Sequence, residues 1–338
     1  MKFLTLAGVA ALGAFASAAS SSTTKTTAAS ATQASSSVQA SVSNYVPWSN
    51  GTHFTDPATN TTVKHFDCDV TAGKASDHFM QKVKSLHSKH KRSAVGTRSP
   101  RVVMKKQTVS SPITAKLYIH VIGTESDVST ITKQMAQDQA TELNTAYNPY
   151  GITFTLQNIS FTTNDAWAWA NSTSDLDDAK AALRVGTYAD LNLYFHTDLS
   201  GGMLGTCTLP AQTSTSASPA EYSSDGCNIN ANTMPGGSMT GYNQGKTAVH
   251  ETGHWLGLLH TFEGNSCSGD GDFVDDTPAE STSTDGCPTS PLKNSCGTPD
   301  GDPIHNYMDY STDACYEAFT ADQVERISTM WSEYREGF

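Results

Sequence analysis

No stretch of this chain limits its fold more tightly than His250-Glu251-Thr252-Gly253-His254-Trp255-Leu256-Gly257-Leu258-Leu259-His260, an HExxHxxGxxH pattern. On an α-helix, residues four apart lie on one face about a turn apart, so His250 and His254 can offer two imidazole nitrogens to one metal ion. Glu251 then lies beside that ion without having to bind it. Gly257 can take a positive φ, end the helix and turn the chain back, which delivers His260 as a third ligand. Three protein ligands leave the fourth position of a tetrahedral zinc open to water, and an open position separates a catalytic zinc from a structural one. Two histidines on a helix are commonly ordinary polar positions. The glycine and the third histidine at fixed offsets make that reading hard to keep.

The chain has 338 residues, enough for one large domain with extensions. Residues 1–18 carry Lys2, an apolar run from Phe3 to Phe15 and the small-residue pattern Ala16-Ser17-Ala18, which reads as a secretory signal peptide. No later segment is apolar for the length a bilayer requires, so the expectation is a soluble protein outside the cell. Residues 19–43 are mostly Ser, Thr and Ala and cannot bury a core. Asn50, Asn60, Asn158 and Asn171 head N-glycosylation sequons.

Charge divides the rest of the chain. Residues 64–106 hold eleven Lys or Arg against three Asp, whereas residues 107–338 hold eight against twenty-nine Asp or Glu. The acidic part would repel nucleic acid. Lys91-Arg92 and Lys105-Lys106 are candidate processing sites between the two, which gives a signal peptide at 1–18, a propeptide at 19–106 and a globular domain at 107–338. Within the propeptide, Phe79, Val83 and Leu86 are spaced as on one helix face. In the globular part, 114–122 and 151–161 alternate as strands, 191–195 is an apolar strand, and 128–147, 175–184 and the stretch after Thr320 carry helical spacing. The order strand, helix, strand, helix, strand favours helices layered on a twisted sheet. Glycines in Gly201-Gly202-Met203-Leu204-Gly205 either make a plain turn or let an extended backbone approach a sheet edge.

His305-Asn306-Tyr307-Met308-Asp309-Tyr310 is the second informative segment. Metzincins place a methionine-containing turn beneath their zinc histidines, and Met308 fits that place. With Asp275-Asp276-Thr277-Pro278 and Phe319-Thr320, these motifs resemble the pappalysin family of metzincins, most of all its fungal secreted metalloproteinases. The likeness runs from about Thr114 to the end. Thr261, directly after the third histidine, departs from the acidic residue of astacins and reprolysins.

The resemblance implies an α+β fold: a zincin-like catalytic domain with a mixed twisted sheet, an active-site helix and an irregular, disulfide-linked C-terminal subdomain. It implies zinc on His250, His254 and His260, Glu251 as the base that activates a zinc-bound water, Met308 as the Met-turn, and Tyr310 donating its hydroxyl to the reacting group. Six cysteines allow fifteen pairings; the resemblance suggests Cys207 with Cys227, Cys267 with Cys296 and Cys287 with Cys315. Asp270, Asp272, Asp275 and Asp276 form a candidate calcium cluster on an irregular loop. Cys68, the odd cysteine, is a candidate switch whose thiolate would take the fourth zinc position. Asp69 follows it where relatives usually carry Gly. Asp313 is a candidate for a pocket that accepts Lys or Arg. The expectation is a monomeric zinc endopeptidase that is made as a zymogen and acts on protein or peptide substrates, with neither nucleic acid nor membrane as partner. The competing expectation is a secreted binding module with a structural zinc, which would have no need of Glu251.

Overall fold

The chain, described from a computed structural model, is defined over residues 53–56, 61–94 and 107–338. The expected signal peptide, the Ser/Thr-rich stretch, Asn50, Asn60, Lys105-Lys106 and the side chains of Lys91 and Arg92 lie outside the described residues. A hairpin of β1 (His53–Asp56) and β2 (Thr61–Lys64) comes first, then helix α1 (Asp77–Ala94). Helix α1 buries Phe79 and Val83 against Leu259, Met330 and Tyr334 of the acidic part.

Alternating Ile113, Ala115, Leu117, Ile119 and Val121 are all buried and form β3 (Ile113–Gly123), the middle of the molecule. Helix α2 (Lys133–Tyr147) begins later than the apolar spacing from Val128 suggests. Thr132 decides its start: its Oγ1 accepts the Met135 N–H at 3.2 Å and caps the helix, leaving 128–130 as a separate 3₁₀ turn. β4 (Ile152–Thr163) follows, then a short α3 (Asp165–Trp169) and α4 (Thr173–Leu183), capped by Asn164 and Ser172. β5 (Leu191–His196) is buried along its whole length, as an apolar strand covered on both faces should be. β6 (Gly205–Cys207) and β7 (Cys227–Asn230) are joined by the Cys207–Cys227 disulfide.

The sheet runs β4-β3-β5-β7-β6, parallel except for β6 against β7. Helix α5 (Lys246–Trp255) contacts β6, β7 and α2, and α6 (Ala321–Tyr334) closes the chain. Residues 256–320 hold little regular structure and are braced by Cys267–Cys296 and Cys287–Cys315. The α+β arrangement expected from the motifs is the one observed. Among the described residues no helix is long and apolar enough to cross a membrane.

Asp225, just before β7, ties the end of α5 to α6. It accepts the Trp255 indole N–H at 3.0 Å and receives Arg335 on both oxygens, at 3.0 and 3.2 Å. Arg335 also donates to the Trp255 carbonyl at 3.1 Å and lies over the Trp255 ring at 3.6 Å. Burial alone would raise the Asp225 carboxyl, but Arg335 and Arg184 outweigh it and hold it below its ordinary value. Removing one member of such a buried pair strands the other charge, so Asp225→Ala should cost about 3–5 kcal/mol in denaturant unfolding. Because the folded value is depressed, the stabilisation is present above about pH 4 and is lost as pH falls through the folded value. The gap between wild type and variant should therefore narrow in acid, and a gap independent of pH would contradict this assignment.

Candidate active site

Helix α5 is buried from Thr247 to Trp255, and neighbouring elements fix its height. The Tyr147 hydroxyl of α2 donates to the Val249 carbonyl at 2.8 Å, and the Gln139 amide donates to the Gly245 carbonyl at 2.9 Å. On its inner face the helix presents His250 and His254 one turn apart. At Gly257, φ is +94° and the turn packs on Met330. The Gly257 N–H returns to the His254 carbonyl at 2.8 Å and the Leu258 N–H to the Gly253 carbonyl at 2.9 Å, which brings His260 back beside the helix.

The three Nε2 atoms stand 3.1, 3.1 and 3.2 Å from one another. His250 Nδ1 donates to the Tyr307 carbonyl at 2.7 Å and His254 Nδ1 to the Leu258 carbonyl at 2.9 Å. A proton on Nδ1 leaves Nε2 of a neutral ring with a bare lone pair, so the lone pairs of His250 and His254 converge, with His260 Nε2 beside both. Nitrogens about 2.05 Å from a tetrahedral zinc would lie roughly 3.3 Å apart, so this spacing fits the ion. Burial keeps all three rings neutral: it lowers His254 to about 4 and, aided by the neighbouring rings, holds His250 and His260 well below their usual value. Only the neutral ring is a ligand.

Beneath the rings, Gly253 leaves room for Met308, whose Sδ would lie 2.4 Å from a Cβ at that position. The Thr261 N–H donates to the Met308 carbonyl at 3.2 Å and fastens the third histidine to this turn. Tyr310 stands 5.0 Å from the His260 ring, centroid to centroid. Glu251 is fully buried, and its Oε1 has no hydrogen-bond partner.

A segment of the basic part lies across this centre. Leu204 and Gly205 N–H groups donate to the Asp67 carbonyl at 2.9 and 3.4 Å, and Cys68 bridges to Gly205 in parallel. The glycine-containing stretch before β6 thus receives an extended backbone. Tyr310 Oη donates to the Cys68 carbonyl at 2.8 Å and accepts the Cys68 N–H at 3.2 Å. Cys68 Sγ donates to Glu251 Oε2 at 3.5 Å and lies within 4.8 Å of the three histidine nitrogens. Phe66 packs on Tyr310 and His250, with centroids 4.8 and 4.9 Å away. Sequence reasoning missed Phe66 and Phe262, whose ring stacks on His260 at 4.9 Å; neither aromatic carries a spacing signal.

The four aspartates are spread rather than gathered. Asp270 and Asp275 face His87 of α1 at 3.3 and 3.5 Å. Asp272 accepts from the Val274 N–H and the Thr277 hydroxyl, and Asp276 from the Asp322 N–H. Among the described residues, no three of them place oxygens within 4.8 Å of one another, so nothing here supports a calcium site. Asp313 is buried and accepts the Gln244 N–H at 2.7 Å, while its other oxygen has no partner. Asn158 and Asn171 are exposed.

The chain resembles known proteins across this region. A family profile described as pregnancy-associated plasma protein-A, peptidase M43, matches residues 180–331. An extracellular metalloprotease of Aspergillus oryzae is 42% identical over 283 residues, 75% of this chain and 87% of that one. One from Pyricularia oryzae is 46% identical over 230 residues, 67% and 78% of the two chains. Among solved structures, mature mirolysin of Tannerella forsythia in complex with a cleaved peptide matches with a TM-score of 0.55 and 27% identity over 66% of this chain and 92% of that one. A promirolysin variant from the same organism shares the fold, with a TM-score of 0.59 and 24% identity over 80% and 95%.

Gly257 gives the sharpest test of this geometry. A methyl group there meets a positive φ and would lie 2.6 Å from Met330 Cγ. Gly257→Ala should cost about 2 kcal/mol or more in unfolding free energy and weaken metal retention, because His260 follows the turn. Unchanged stability and metal content would show that the turn does not set the third ligand.

Proposed function

This chain belongs to the M43, or pappalysin, family of extracellular metalloproteases, and we propose that it cleaves protein substrates with zinc held by the Nε2 atoms of His250, His254 and His260. Zinc, when bound, supplies a Lewis acid that polarises the scissile carbonyl and makes a water acidic enough to attack near neutral pH. The observation that carries this reading is the set of three imidazole nitrogens facing one another beside a buried carboxylate.

Glu251 is the general base. Burial raises its carboxyl to about 8, opposed by the hydrogen bond from Cys68, and a cation beside it would bring it down again. A carboxylate in that range can take a proton from the attacking water and return it to the amine nitrogen as the C–N bond breaks. Tyr310 engages one residue of an extended backbone, Cys68, donating to its carbonyl and accepting its N–H. The same hydroxyl can donate to a scissile carbonyl oxygen as negative charge gathers there. A structural zinc would gain nothing from a buried carboxylate with a free oxygen, which argues against the binding-module reading.

Residues 66–68 are proposed to keep the enzyme silent until the propeptide is cut away, with the mature domain starting near 107. As a thiolate, Cys68 could take the metal position otherwise left to water, and its backbone already engages Tyr310.

Glu251→Gln in the processed enzyme should lower kcat on casein by about 10²–10⁴ with the unfolding midpoint unchanged; wild-type rates in this variant would remove Glu251 from the mechanism. A chelator should likewise abolish hydrolysis, with activity restored by added zinc. Cys68→Ser in the unprocessed protein should give measurable hydrolysis where the wild-type precursor gives none. Equal latency in both precursors would dismiss the thiol.

A further inference from the structure

One buried cation lies between the loop that carries His260 and the turn that carries Met308, and the hydrolytic chemistry makes no use of it. Lys293 has no exposed surface. Its Nζ donates to Glu280 Oε1 at 2.5 Å, to Thr284 Oγ1 at 3.0 Å and to the Thr282 carbonyl, with Asp302 Oδ2 at 3.0 Å. From there, contacts run in two directions. Glu280 Oε2 accepts the Thr261 hydroxyl at 2.7 Å, and Thr261 is the residue after His260. On the other side, Asp309 Oδ1 accepts the N–H of Thr284 at 3.0 Å and that of Tyr310 at 2.7 Å.

Glu280 and Asp302 thus flank a single ammonium, with Asp309 on the far side of Thr284, and all of them are buried. Carboxylates and a carbonyl converging on one point are the donors a hard metal ion would receive. Here the positive charge arrives on a covalent stem and cannot exchange with solvent. Burial alone would push Lys293 towards neutrality, but Asp309 and Glu280 outweigh it and hold the ammonium above its ordinary value. The cation is therefore fixed over the whole neutral range.

We propose that Lys293 is a positioning residue for the metal centre: an internal cation that, through Glu280 and Thr261 on one side and Thr284 and Asp309 on the other, holds His260 and Tyr310 in place against the helix that carries His250 and His254. The inference rests on the reading that the three histidines bind zinc. It accounts for a threonine directly after the third histidine, because a hydroxyl there can donate to Glu280. A lysine that merely filled a polar pocket would affect unfolding and leave the zinc affinity of the folded protein alone.

The test is a cycle of Lys293→Met, Thr261→Val and the double variant in the full secreted chain, with zinc affinity read by competition against a chromogenic chelator. Each single change should weaken zinc by about tenfold or more, the range seen when groups supporting a metal ligand are lost. The double variant should be no weaker than the worse single one, because both act along one chain of contacts. Single variants that bind zinc as wild type does, or losses that multiply in the double variant, overturn the inference. If Lys293→Met is not secreted, Glu280→Leu paired with Thr261→Val forms the same cycle with the same two outcomes. A wild-type chain that takes up no zinc sinks the histidine reading and this inference with it. A zinc-binding wild type with unaffected variants sinks this inference alone.

Discussion

Three buried imidazole nitrogens stand 3.1 to 3.2 Å from one another, and the lone pairs of His250 and His254 there repel each other unless a cation lies among them. Much of the surrounding structure serves to hold that arrangement. Helical pitch places the first two rings, a left-handed turn returns the third, and backbone carbonyls of Tyr307 and Leu258 fix the tautomers of His250 and His254. Because the ion relieves a repulsion built by folding, its binding energy adds to the folding energy.

The same centre explains why residues far apart in sequence matter together. The Asp225 and Arg335 pair holds the end of the active-site helix against α6, while Met308 and Thr261 link the third histidine to the turn below. The N–H donors of Leu204 and Gly205 and the hydroxyl of Tyr310 already hold a backbone, that of residues 67 and 68. In the proposed latency, the propeptide silences the enzyme by occupying what a substrate would need.

The α+β frame was legible from the chain because periodicity is local. Alternation marked β3 and β4, and a mainly apolar stretch marked β5. The metal motif was legible for a related reason, since helical geometry converts a spacing of four into a shared face. The edge pair β6 and β7 was not, because strands of three and four residues carry too few alternations to stand out. The start of α2 was misjudged because one capping threonine overrode the apolar spacing. Likewise the four aspartates looked gathered in sequence, yet in space Asp270 and Asp275 answer to His87, Asp272 to Val274 and Thr277, and Asp276 to Asp322. Lys293, Glu280 and Asp225 gave no signal at all: a buried charge is recognisable only once its counter-charges, brought in by irregular loops or from the far end of the chain, are seen beside it.

Three histidine nitrogens and, before processing, the Cys68 sulfur are proposed to converge on one zinc ion. X-ray absorption at the zinc edge, taken on the secreted precursor and again on the processed enzyme, tests it most directly. Both spectra should show three nitrogen scatterers at about 2.0–2.1 Å, with one sulfur at about 2.3 Å in the precursor that is replaced by oxygen after processing. A precursor spectrum without sulfur would contradict the thiol's place, and one without three nitrogens would contradict the site itself.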